Sequence, residues 1–234
     1  MTRRRWIADE VQGSTAALTG EHAAHLVRVL RAQAGQQFDI ATGAGIRLGT
    51  ITSISGDRVE FALGEVLAER AVPDIVLALA IFKFDRMEWA IEKCTELGVA
   101  RIIPVVARRT DRHLAAAAVK RHERWQRLVQ QAAEQSRRVG VPSIDEPRKL
   151  SDLTQADGLR IVLDETEAGT SLRDVLRPAS SLMLAVGPEG GWADDELRWF
   201  RESGWVPATL GDTILRAETA AIVATAFAVE ALRS

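Results

Sequence analysis

The 234 residues predict a small β-rich domain followed by an α/β domain with a largely parallel sheet. Three observations predict this class. From Ile75 onward apolar strand-like runs alternate with helical patterns, as a parallel sheet covered on both faces requires. Runs such as Leu182-Met183-Leu184-Ala185-Val186 are continuously apolar, the mark of a strand buried on both sides. Upstream of Leu67, short β-like runs recur between turn residues instead.

In the first domain, Gln37–Ala41, Arg47–Ile51 and Arg58–Ala62 read as strands, punctuated by Gly43, Gly45 and Gly56-Asp57 as hairpin turns. One helix, Glu21 to Leu30, presents Ala24, Leu26, Val27 and Leu30 on its apolar side, so the domain reads as a small β-barrel with an inserted helix. Leu67 to Asp74, with Pro73, is the expected boundary, which places the two domains at 1–70 and 74–234. Beyond it, Ile75–Phe82, Arg101–Val106, Leu159–Leu163, Ser181–Val186 and Pro207–Leu210 read as strands. Arg86–Leu97 carries Met87, Ala90, Ile91, Cys94 and Leu97 at helical spacing, which makes Cys94 a buried small hydrophobe. An Ala-rich helix runs to about Leu232, and its apolar surface is large enough to suggest self-association.

Bulk properties exclude several classes. A hydrophobic share of 47% and a charged share of 26% are ordinary for a globular protein, and no apolar stretch reaches the ~18 residues of a membrane span. The basic start, Met1 to Trp6, is followed by no apolar signal region, and a single cysteine allows no internal disulfide, so the expected location is the cytoplasm. The net charge of −2 conceals a block at 101–149 with 12 basic and 5 acidic residues. Within it Lys120, Arg121, Arg124 and Arg127 share a helical face, which is either a polyanion-contacting surface or a solvated one. His22 and His25 have no further metal ligand nearby, and His113 and His122 are expected to face solvent.

Two strand-to-helix turns carry the chemistry. Gly187-Pro188-Glu189-Gly190-Gly191-Trp192 is neither a P-loop nor a dinucleotide fingerprint, yet it suits a turn that wraps a ligand with backbone groups as well as a purely structural one. Leu210-Gly211-Asp212-Thr213-Ile214-Leu215-Arg216-Ala217-Glu218-Thr219-Ala220 brings a cation, an acid and a hydroxyl to a second turn, where Arg216 and Glu218 could also form a mere surface ion pair. Ligands bind at the carboxyl ends of strands in open α/β sheets, so the two turns suggest one small-molecule pocket. Asp194, Asp195 and Glu196 suit the positive end of the next helix and read as capping residues.

Taken in order, five segments resemble the ribosomal small-subunit RNA methyltransferase E family of the SPOUT, or trefoil-knot, methyltransferases. They are His25–Arg31, Lys83–Trp89 leading to Lys93–Gly98, Glu134-Gln135-Ser136 with Arg138, Gly187–Gly191, and Leu215–Ala220. The resemblance implies a C-terminal α/β trefoil-knot (SPOUT) domain preceded by a small PUA-like β-barrel that binds RNA. It implies S-adenosylmethionine as methyl donor, no metal, N3 of a uridine in 16S rRNA of the small ribosomal subunit as acceptor, and a homodimer formed through the knot. It places the donor among Leu163, Gly187, Pro188, Glu189, Gly190, Gly191, Leu210, Gly211, Ile214, Leu215 and Thr219, with Arg216, Glu189 and Glu218 at the methyl-transfer centre. Arg28, Arg31, Lys83, Arg86 and Arg138 fall on the RNA side. The chain departs from the family pattern at Asp212-Thr213, where Pro-Arg is usual, and at Ala193, where Ser is common and Asp194 is expected to cap instead. The alternatives are a knotted methyltransferase acting on tRNA or a ribose 2′-hydroxyl, and a non-catalytic ribosome assembly factor.

Overall fold

A computed structural model describes residues 4–67, 74–153, 158–167, 169–177, 179 and 181–233. The chain divides into two compact units, the first formed by the N-terminal region with Ala133–Val141 and the second by the remainder. The expected boundary lies almost entirely at 68–73, outside the described residues.

The first unit is a six-stranded mixed sheet in the order β1-β4-β5-β6-β3-β2. The strands are β1 (Arg5–Ile7), β2 (Glu10–Gln12), β3 (Thr15–Thr19), β4 (Gln37–Ala41), β5 (Ile46–Ser55) and β6 (Arg58–Leu67). Among the described residues only β1 and β4 pair in parallel. Leu18, Ile40, Ile51, Val59 and Phe61 are buried from alternating positions and close over Ala23 and Leu26. The expected single helix is two pieces: α1 (Gly20–Ala24) and a π-helical turn over His25–Val29, after which Arg31 adopts φ +53°. The π turn widens the backbone, so Leu26 is buried while Val29 remains 64% exposed.

The second unit is a seven-stranded sheet with every described pairing parallel. Its elements are β7 (Asp74–Ala80), α2 (Phe84–Leu97), β8 (Arg101–Val106), α3 (Arg112–Gln135, whose last three residues belong to the first unit), β9 (Ser143–Ile144), β10 (Arg148–Lys149), β11 (Leu159–Leu163), α4 (Leu172–Val175), β12 (Ser181–Val186), α5 (Asp194–Glu202), β13 (Val206–Ala208) and α6 (Ala217–Arg233). The order is β10-β8-β7-β12-β11-β13, with β9 also on β8. Because β12 lies between β7 and β11, the chain crosses over β7 to lay down β11 and then returns to fill the gap.

Period-two alternation explains the apolar runs. Leu77, Leu79, Leu182, Leu184 and Ile161 enter one core with Met87, Ile91, Trp125 and Ala221, while Ala78, Ala80, Met183, Ala185 and Val162 enter the other. The small side chains of the second set leave room for Trp192, Phe200 and Trp205, whose rings meet edge to face at 4.9 and 5.0 Å. Each fully buried Leu or Ile contributes about 1.5–3 kcal/mol. Cys94 is buried against α6, where the Thr225 hydroxyl donates to Sγ at 3.4 Å; burial pushes the thiol up to about 12. His122, expected in solvent, is half-buried with Nε2 2.9 Å from the Ile144 carbonyl. Among the described residues no helix is long and apolar enough to cross a membrane.

Candidate functional site

A cavity of about 450 Å³ opens at the carboxyl ends of β11, β12 and β13, within the second unit. Three turns and the start of α6 line it, because each strand stops in line with its neighbours and the chain leaves the sheet there. The size suits a nucleoside-sized ligand.

The first wall is the turn after β12. Gly191 N–H donates to the Pro188 carbonyl at 2.9 Å, and Gly191 sits at φ +69°. A Cβ there would stand 2.0 Å from Oε1 of the exposed Glu165, a side chain free to swing aside, so it is the left-handed backbone that favours glycine. Arg109 Nη1 donates to the Gly190 carbonyl at 2.7 Å from the other side. Gly187 lies on the buried Trp192 ring, with room for no larger residue unless the indole shifts. The floor behind α5 is fixed by Glu196: Oε2 accepts from Ala193 N–H at 2.9 Å and Oε1 from Arg108 N–H at 2.8 Å. The N-cap is thus Ala193, and Glu196 rather than Asp194 caps the helix, because a reach-back carboxylate needs no oxygen at the cap position.

The second wall begins at Thr209, whose N–H donates to Thr170 O and whose carbonyl accepts from Leu172 N–H. Gly211 follows at φ +125°, and the chain then exposes Asp212, Thr213 and Ile214 along the mouth. The third turn supplies Asp164 and Glu165. Asp164 is buried, with Oδ1 accepting from Thr166 N–H and Oγ1 at 2.9 and 2.7 Å, while Glu165 is exposed.

Of the residues expected at the donor site, Leu163, Gly187, Pro188, Glu189, Gly191, Leu210, Gly211, Ile214 and Leu215 line the cavity, whereas Gly190 and Thr219 do not. Arg216 and Glu189 line it, are exposed, and have no side-chain partner among the described residues. Glu218 does not line it: the carboxylate is buried, and Oε1 accepts from Arg86 Nη1 at 3.1 Å. The surface pair of Arg216 with Glu218 that the spacing allowed is therefore absent. Lys83 and Arg86 line the same cavity. Arg28 and Arg31 are exposed in the first unit, and Arg138, also there, is half-buried, which pushes its guanidinium down to about 10. On α3, Arg121 and Arg124 both bond Glu88, at 3.1 and 2.8 Å, which neutralises part of the basic face. Sequence reasoning missed Asp164 and Glu165, although two carboxylates directly after a fully apolar strand were a readable signal.

Strand order and cavity together define an α/β trefoil-knot (SPOUT) domain preceded by a small PUA-like β-barrel. An RNA methyltransferase domain model matches residues 69–229, and an RNA methyltransferase PUA domain model matches 18–63. The ribosomal RNA small subunit methyltransferase E of Bacillus subtilis is 33% identical over 227 residues, which is 91% of this chain and 89% of that protein. The crystal structure of ribosomal RNA small subunit methyltransferase E from Neisseria gonorrhoeae bound to S-adenosyl methionine matches with a TM-score of 0.81 at 30% identity, covering 96% of this chain and 95% of that one. A Legionella pneumophila methyltransferase in complex with the cofactor SAM matches with a TM-score of 0.76 at 31% identity, covering 96% of both chains. The chain belongs to the ribosomal RNA small subunit methyltransferase E family.

Proposed function

We propose that this chain is an S-adenosylmethionine-dependent methyltransferase acting on N3 of a uridine in 16S rRNA, with the donor held in the cavity at the ends of β11, β12 and β13. The observation that carries the reading is the cavity itself: two glycine-permitted turns wall it, and Arg216 and Glu189 project from those turns without partners among the described residues. The lining fits the donor, since Leu163, Val186, Ala208 and Leu215 offer apolar surface and the turns offer backbone donors and acceptors. The curated relatives are named as small-subunit rRNA methyltransferases, and two similar solved structures hold the methyl donor.

When bound, S-adenosylmethionine supplies a methyl group activated by its sulfonium charge. The chain's residues hold the uracil in line and manage the proton. Arg216 stabilises the negative charge that builds on the uracil carbonyls as N3 loses its hydrogen, and Glu189 accepts that imide proton. Arg28 and Arg31, in the RNA-binding PUA-like domain of residues 1–70, contribute to RNA contact together with Arg138 of the 133–141 segment that joins the same unit, and Lys83 contributes at the mouth of the cavity in the methyltransferase domain of 74–234. The working form is a cytoplasmic homodimer; a monomer mass by light scattering at micromolar concentration would remove the dimer from this reading.

Mass spectrometry of rRNA and tRNA nucleosides from a deletion strain tests the activity. Loss of 3-methyluridine from small-subunit rRNA, restored by the gene, is expected. Loss of a tRNA or ribose 2′-O mark points to a different knotted methyltransferase, and absence of donor binding by calorimetry points to an assembly factor.

A further inference from the structure

We propose that Arg86 is a second catalytic cation of this cavity, touching the uracil, and that Glu218 is the positioning residue that aims it rather than a proton acceptor. The proposal rests on reading the cavity as the methyl-transfer site. Arg86 sits in the first turn of α2 and lines the cavity, whereas Glu218 sits in the first turn of α6 and does not. The contact between them is single: Glu218 Oε1 accepts from Arg86 Nη1 at 3.1 Å. No other side-chain partner of Arg86 occurs among the described residues, so the rest of its N–H fork remains available.

Burial makes the pair unusual. The Glu218 side chain is 4% exposed and that of Arg86 32%, and Glu218 Oε2 is buried with no hydrogen-bond partner among the described residues. A buried carboxylate with one oxygen unpaired is costly, and apolar residues of the same size would pack α2 against α6 at least as well. What such a pair supplies is a cation of fixed direction. Two helices hold its two ends, so the guanidinium need not reorganise as charge develops on the substrate. Arg216, by contrast, stands exposed at the end of a turn. Proton acceptance by Glu218 fits poorly, because its one bonded oxygen faces Arg86 and the carboxylate stands outside the cavity lining.

The test uses the full chain, S-adenosylmethionine and small ribosomal subunits lacking the modification. Arg86→Ala is expected to lower kcat about 100-fold, the loss typical of removing one preorganised donor. Glu218→Gln, which keeps the shape but not the charge, is expected to lower kcat about tenfold while leaving donor Kd within about threefold. The Arg86→Ala/Glu218→Gln double variant should be no slower than Arg86→Ala, since a positioning residue has nothing left to position. Arg86→Lys leaves Glu218 untouched and keeps the charge without the planar fork, so a loss in kcat at unchanged donor Kd supports the proposal even where Glu218 variants fold poorly. The pH–rate profile of Glu218→Gln should keep the wild-type shape at lower height. Loss of a limb of that profile, multiplicative losses in the double variant, or a donor Kd that weakens in step with kcat would each overturn the assignment. A wild-type chain that binds no donor and forms no 3-methyluridine overturns the underlying reading, and the proposal with it.

Discussion

Glu189 and Arg216 stand on the two turns that close the cavity, and neither charge is neutralised by a neighbour among the described residues. Groups held unpaired at a ligand site are suited to work on what enters it. Arg216→Ala is expected to lower kcat by about 10² to 10³ at saturating donor. Glu189→Gln should lower it by about 10²; near-normal single-turnover rates for Glu189→Gln would mean that positioning suffices without a carboxylate base. Gly191 is the other decisive residue. An L side chain at its φ of +69° costs about 1–2 kcal/mol, and the exposed Glu165 carboxylate has to swing aside for the added Cβ. Gly191→Ala is therefore predicted to lower the stability of the second unit by about 1–2 kcal/mol, and thermal unfolding at the wild-type midpoint would refute it. The glycines were legible in the sequence as a permissive turn. The carboxylate packed against Gly191 was not, because Glu165 arrives from a different strand end, and neither was the partner of Glu218, because residues two apart suggested Arg216 while the fold delivers Arg86 from α2.

At the scale of elements, long strands buried on both faces announced themselves. Arg101–Val106, Leu159–Leu163 and Ser181–Val186 are found with the expected bounds, since short, mostly apolar runs rich in Val, Ile and Leu between turn signals suit strands buried on both faces. Short edge strands did not. Glu10–Gln12 is exposed throughout, and Arg148–Lys149 is two charged residues, so neither carries a hydrophobic period to read. The π turn at His25–Val29 was hidden because Leu26 and Val27 also fit an ordinary helix. Helix α5 yields an element-level prediction. Glu196 is 8% exposed and satisfies two backbone N–H groups, one before its own helix and one after β8. Glu196→Ala leaves both without their acceptor and should cost about 2 kcal/mol. Glu196→Gln retains one amide oxygen and should cost less. Thermal unfolding of both variants at the wild-type midpoint would show that the cap does not stabilise the unit.

The strand order of the second unit lies beyond what alternation of strand and helix can predict. A simple doubly wound sheet has the same pattern of elements; family resemblance alone supplied the expectation of a knot, and the place of β12 between β7 and β11 was not readable at all. The first unit poses a similar long-range problem, because Ala133–Val141 belongs to it although most of α3 belongs to the second. His22 joins the distant parts. Its Nδ1 lies 2.8 Å from Asp9 Oδ1 and its Nε2 lies 2.9 Å from Glu134 Oε1, so both ring nitrogens face carboxylates. The hydrogen bond to Asp9 first, and that to Glu134 second, raise the imidazolium to about 10 against the penalty of burial. A folded pKa above the unfolded value of about 6.5 means that the ion pairs stabilise the unit fully below that pH. Their contribution declines as pH rises from there and is gone above about 10. Wild-type stability of this unit should therefore fall between pH 7 and 10, and His22→Gln should start lower at pH 6 and lose the part of the slope that His22 supplies. Hydrogen exchange of β3 and of the 133–141 segment, followed across that range, measures both effects. Parallel profiles for wild type and His22→Gln would mean that the return of the chain into the first unit does not depend on this histidine.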